Sequence, residues 1–226
     1  MQLSELEVKL IRSNRKTVSI YIERDGSVSA RIPESISEVE IFKVLKSKEY
    51  QIHKNLAQWL QLNQTKVDRE YVNGQSFLYL GRNYRLQIVD VIQEKLVFNK
   101  GYFYLSMSNK NHARELFIEF YKERLKEKLK SIIKHYKNQL GVNPSEIKIM
   151  ELQNRWASCT TKGSVNFHWK CAMAPIDVLN YIVAHELTHL IHPNHTPAFW
   201  NELDKIIPSY NKQINWLKIN GAGMDL

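Results

Sequence analysis

The sequence predicts an α+β protein: an N-terminal antiparallel β-rich region with one long helix (residues 1–108), then a C-terminal domain (residues 109–226) built around a histidine-bearing helix, as two domains or one compact unit. Three observations predict it. Short stretches of the first half alternate apolar and polar residues with the period of two that gives a strand one buried face. Three longer stretches, 37–62, 111–140 and 175–190, carry apolar residues three and four apart, the spacing that lines one face of a helix. The segment Ala184 to His195, at the end of the last of these, gathers four of the eight histidines around one glutamate.

In chain order, Thr17–Ile22 alternates, Asp25-Gly26 is a two-residue hairpin signal, Ser27–Ile32 resumes the alternation and Pro33 ends it. Ser37 and Glu40 form a capping box, and Ile41, Val44, Leu45, Ile52, Leu56 and Trp59 continue at helical spacing to about Leu62. Strands at 76–80, 84–89, 95–98 and 102–105 are expected next, with turns at Gly81-Arg82 and Asn99-Lys100-Gly101. They read as an antiparallel meander whose aromatic residues belong to a half-buried face, in preference to a nucleic-acid stacking platform. A second helix runs from about Asn111 to Leu140, where Gly141 is placed to close it. Ile147–Met150 and Val165–Trp169 then alternate as strands, with Thr161-Lys162-Gly163 turning the chain between them. Pro175 opens the histidine-bearing helix, Pro197 begins another that Pro208 ends, and a short helix with Ile214, Trp216 and Leu217 stops before Gly221.

Hydrophobic residues make up 43% of the 226, enough to bury a substantial core. No run of about 18 apolar residues occurs and the first residues lack a signal-peptide pattern, so a cytoplasmic protein without a membrane span is expected. Cys159 and Cys171 are then expected as free thiols. A net charge of +9 favours anionic partners, DNA among them. Much of that excess lies in Tyr121–Lys130, where Lys and Glu alternate at helix-pair spacing, the pattern of a solvated helix face.

On a helix, His185 and His189 stand one turn apart on one face, so two imidazoles converge on one ion at about 2.0–2.1 Å. Glu186 follows His185 by about 100°, outside the clamp but within reach of a water beside the ion, the position of a base. A catalytic metal takes three protein ligands and keeps one position open. Three ligands stacked along one helix axis cannot surround it, and Pro193-Asn194 is a turn signal that swings the chain back. His195 is therefore the expected third ligand, with His192 and Glu202 as alternatives. Zinc is the expected ion, and three imidazoles also suit other transition ions. The flanking Ile176, Leu179, Ile182, Val183, Leu187 and Leu190 describe a helix buried over much of its surface, and a buried helix carries charged groups only when they are paired or bound to metal. His53, His112 and His135 have no partner at ligand spacing.

Arg155-Trp156-Ala157-Ser158-Cys159, Trp169-Lys170, Ala174-Pro175, His185-Glu186-Leu187-Thr188-His189 and the stretch from Asn194 to Trp200 together resemble the YgjP-like zinc metallopeptidase family. Arg12-Ser13-Asn14-Arg15 and the stretch from Tyr79 to Tyr84 fit its layout, so the resemblance spans nearly the whole chain. It implies a zincin-like metallopeptidase core with an active-site helix, zinc on His185, His189 and His195, and Glu186 serving the water. More distantly, the metal segment is similar to SprT-like and WLM proteases, which act on proteins crosslinked to DNA.

A zinc metalloendopeptidase follows as the expectation, hydrolysing a protein or peptide substrate with Glu186 as general base. The strand Val165–Trp169 is expected at the edge of the cleft, pairing with an extended substrate. Tyr210, His168 and Arg155 are candidates to stabilise the oxyanion, by residue type and position. Two other readings stand beside this one. A protease recruited to DNA predicts salt-sensitive binding. A basic nucleic-acid-binding module with structural zinc is opposed by Glu186, because a structural site closes with four protein ligands.

Overall fold

A computed structural model describes residues 1–3, 6–23, 26–63, 69–90, 94–152 and 155–226. The chain divides into two compact units, Met1–Thr65 and Lys66–Leu226, each with its own hydrophobic core.

In the first unit, strands β1 (Gln2–Leu3), β2 (Leu6–Ser13), β3 (Ser19–Ile22) and β4 (Val28–Pro33) form one sheet in the order β1-β2-β4-β3. The expected hairpin is present as the antiparallel β3–β4 pair; of its turn signal, Gly26 takes φ +83° and Asp25 lies outside the described residues. The sheet is mixed, because β2 pairs with β4 in parallel. Helix α1 (Glu38–Asn63) covers it, burying Ile41, Leu45 and Ile52 with Leu3, Val8 and Ile32. The capping box closes as the sequence predicts: the Ser37 hydroxyl lies 2.7 Å from Glu40 Oε2, and the Ser37 backbone N–H donates to the same oxygen at 3.1 Å.

The second unit begins with β5 (Ser76–Tyr79), β6 (Arg82–Val89), β7 (Leu96–Asn99) and β8 (Tyr102–Ser106), in the order β5-β6-β8-β7. These are two antiparallel hairpins joined through a parallel β6–β8 pair, which corrects the expected meander. Their aromatic face packs on α2 (Ala113–Leu140), with the Phe77 and Phe117 rings stacked at 4.2 Å and Phe120 edge-on to Phe103 at 5.2 Å. The aromatic residues are thus core. Residues 76–106 share this core with α2 and the C-terminal helices, so the division falls at 65/66 and a boundary at 108/109 would cut through one packed interior. Gly141, at φ +67°, ends α2 in the left-handed conformation.

A three-stranded sheet follows, β10-β11-β9, formed by β9 (Glu146–Met150), β10 (Ala157–Cys159) and β11 (Ser164–His168). β11 is its central strand, parallel to β9 and antiparallel to β10; the turn at 160–163 joins β10 to β11, and not β9 to β11 as the alternation suggested. Helices α3 (Ile176–Thr188), α4 (Pro197–Ile206) and α5 (Tyr210–Asn220) complete the unit, with α3 packed against α2, α4 and α5. Among the described residues no helix is long and apolar enough to cross a membrane.

Candidate metal centre and active site

Helix α3 is the rigid platform. Val178, Leu179, Val183, Ala184 and Leu187 are at most 1% exposed, so its position is fixed by core packing. From it project His185 and Glu186, and at its C-terminal end His189 caps the last turn. The Ile191 and His192 N–H groups fold back onto the Thr188 carbonyl at 3.0 and 2.9 Å, and beyond Pro193 the Thr196 N–H bonds the Asn194 carbonyl at 2.8 Å. This turn returns the chain so that His195 faces the two helix histidines.

The structure brings His185, His189 and His195 together: one ring nitrogen from each lies within 4.8 Å of the others. His185 Nε2 and His195 Nε2 are 3.0 Å apart, close to the edge of about 3.3 Å that a tetrahedral ion bound at 2.0–2.1 Å would set between its nitrogen ligands. Burial, with the neighbouring His189 and His195, pushes His185 down to about 3, and burial likewise lowers His195; both are neutral lone-pair donors at neutral pH, the form a metal requires. The donor set therefore fits a transition ion. The alternatives for the third ligand stand outside the cluster: His192 offers its backbone carbonyl to His189 Nδ1 at 3.1 Å, and Glu202 pairs with Lys205 at 2.7 Å.

Two outer contacts fix the imidazoles, and the sequence reading missed both. The His192 carbonyl leaves the Nε2 face of His189 toward the cluster, and the Tyr181 hydroxyl lies 3.4 Å from His185 Nδ1. Tyr181 was detectable, since it precedes His185 by one helical turn. Phe199, fully buried, backs the cluster with its ring 4.6–4.9 Å from each of the three imidazoles. Trp200 stacks on His195 at 5.4 Å and on Tyr210 at 5.4 Å.

Glu186 is 7% exposed and lines the same cleft of about 630 Å³ as the three histidines. Burial pushes its carboxyl up to about 7, against the opposing charge of Arg155 and a hydrogen bond from the Cys159 backbone. The opposite wall of the cleft is β10 with Thr160 and Thr161. The His168 N–H to Trp156 carbonyl bond at 2.7 Å and the Thr160 N–H to Ser164 carbonyl bond at 2.9 Å set the ladder, so the backbone groups of Ala157 and Cys159 point away from β11. The strand expected at the cleft edge, Val165–Trp169, is instead paired on both sides, and among the described residues the open edge beside the histidines belongs to β10.

Of the three oxyanion candidates, Arg155 lines the cleft. His168 is fully buried and accepts the Lys170 N–H at Nδ1, 3.1 Å away, capping the short 3₁₀ turn Trp169–Met173; Tyr210 packs on Trp200. Cys159 and Cys171 are free thiols, and neither belongs to the histidine cluster.

No curated protein matches the chain. Among solved structures, the metallopeptidase zymogen abylysin of Pyrococcus abyssi is 23% identical over 39% of this chain and 90% of that chain, with a TM-score of 0.37. The metallopeptidase zymogen jannalysin of Methanocaldococcus jannaschii is 26% identical over 41% of this chain and 88% of that one, with a TM-score of 0.36. The YgjP-like metallopeptidase domain matches residues 16–220, across both units and through the histidine cluster, so the chain belongs to the YgjP-like metallopeptidase family.

Proposed function

We propose that this metallopeptidase is a zinc endopeptidase that cleaves protein or peptide substrates with Glu186 as general base. The observation that carries the reading is the placement of Glu186: buried, adjacent to His185, and in the cleft that the three histidines line. His185, His189 and His195 would hold the ion, which when bound supplies Lewis acidity toward the attacking water and the scissile carbonyl. Among the described residues no fourth His, Cys, Asp or Glu joins the cluster, which favours an open catalytic site over a closed structural one.

The chain's own groups then divide the work. Glu186 takes the proton of the attacking water on a carboxylate oxygen and delivers it to the departing amine nitrogen. The Cys159 backbone hydrogen bond and Arg155 orient and partly offset the charge of that carboxylate. The outward N–H and C=O of Ala157 would pair with an extended substrate main chain and lay it across the cleft, as strand addition does at other open sheet edges.

Casein digestion followed by mass spectrometry of the products tests this reading. Internal cuts that vanish on chelation and return with added zinc are expected; trimming from chain ends alone, or no cleavage by protein carrying one zinc, would overturn it.

A further inference from the structure

At the edge of the three-stranded sheet opposite β10, a groove of about 760 Å³ runs between β9 and α2. Its floor is aliphatic: Leu129 and Ile133 from the helix, Ile147 and Ile149 from the strand. Ile147 is 42% exposed and Met150, at the end of the same strand, 40%. β9 is terminal in its sheet, so the backbone groups on its outer side have no strand partner among the described residues. An apolar floor beside an open strand edge is a surface that a further strand completes.

The rim is basic. Lys122, Lys126, Lys130 and Lys134 succeed one another at every fourth residue and so form one stripe along α2, joined by Lys137, with Glu123 the one acid in the lining. The sequence suggested that Lys and Glu here pair with each other on a solvated face. On this stretch Arg124 and Glu127 pair at 3.2 Å, and among the described residues Lys122, Lys126, Lys130 and Lys134 take part in no ion pair. The lining contains neither an arginine nor an aromatic ring, the groups on which bases stack, so its chemistry favours a peptide over a nucleic acid.

We propose that this groove docks an extended peptide segment of a partner protein, rich in aliphatic and acidic residues, which adds as a strand to the outer edge of β9. Its aliphatic side chains cover the floor and its carboxylates meet the lysine stripe. The groove shares no residue with the histidine cleft, so the proposal is independent of the catalytic reading.

The test is fluorescence anisotropy of a labelled decapeptide alternating Asp or Glu with Val or Ile, titrated with the full-length Glu186→Gln protein so that the probe is not consumed. Saturable one-to-one binding is expected. Reversing two lysines, Lys126→Glu with Lys130→Glu, should weaken it about tenfold or more at low salt, with the far-UV circular dichroism unchanged. Of two such decapeptides, N-methylated on one or on the other set of alternate amides, the one whose methyl groups face β9 should bind at least about tenfold more weakly, because it cannot complete the strand ladder. Absence of saturable binding, indifference to lysine reversal, or undiminished binding of both N-methylated probes would each overturn the proposal. Lysine-dependent binding of a labelled single-stranded oligonucleotide without peptide binding would overturn it in favour of nucleic acid.

Discussion

Gly81→Ala should destabilise the second unit at a point remote from the chemistry. The β5–β6 turn is Leu80-Gly81, with φ of +47° and +78°, and both N–H groups reach across to the segment preceding α3: Leu80 to the Ala172 carbonyl at 3.0 Å and Gly81 to the Met173 carbonyl at 2.8 Å. A Cβ on Gly81 would lie 2.7 Å from Pro175 Cγ and 3.0 Å from Pro175 Cα. Pro175 is the N-cap of α3, so the turn cannot retreat without loosening these two hydrogen bonds. The left-handed conformation costs about 1–2 kcal/mol for alanine, less about 0.4–1 kcal/mol from the stiffer unfolded chain, and loosening the two hydrogen bonds adds about 1 kcal/mol each. The sum is about 2–3.5 kcal/mol, which for a unit of this size lowers Tm by about 5–10 °C. Tryptophan fluorescence during heating reads it directly, because Trp156, Trp169, Trp200 and Trp216 lie in this unit and Trp59 alone in the other. A Tm within about 2 °C of the parent would refute the argument that this turn is packed against the start of α3.

Three further outcomes are expected. Tyr181→Phe, which removes the hydroxyl 3.4 Å from His185 Nδ1, should weaken zinc binding about tenfold by competition with a chromophoric chelator while Tm of the zinc-free protein holds. Ala157→Pro deletes an N–H that points away from β11 and so spares the ladder; kcat/KM on a peptide should fall about tenfold or more at unchanged zinc content, and an unchanged kcat/KM would remove β10 from substrate binding. Burial works against ionisation of Asp225, but the hydrogen bond and charge of Lys170, 2.6 Å away, and the Leu226 N–H outweigh it and hold its carboxyl below the usual range. A depressed carboxyl contributes stability above its unfolded pKa of about 3.9 that is lost as pH falls through the folded value, so Asp225→Asn should lower stability at neutral pH and flatten the acid limb of the stability profile below about pH 4.

What the sequence made legible was local. The capping box at Ser37, the glycine that ends α2 and the H-E-x-x-H stretch each depend on residues within one or two helical turns, and each reads directly from spacing. The approach of His195 was legible because a proline and a four-residue turn leave the chain few routes. Pairings between distant strands were not: nothing in the composition of β6 or β8 distinguishes a parallel neighbour from an antiparallel one, and β10, with three residues, is too short to show alternation. The open strand of this sheet was misplaced for that reason: Val165–His168 has the stronger alternation, and it belongs to the central strand. The interior shared by residues 76–106 and α2 was hidden likewise, in the contact of Phe77 and Phe103 with Phe117.

The central claim is tested most directly by measuring bound zinc and peptide turnover in parallel for the parent chain and Glu186→Gln. About one zinc is expected in each protein, with turnover lower in the variant by a factor of about a hundred or more. Comparable turnover by Glu186→Gln, with zinc bound, would contradict the role of Glu186 as the base.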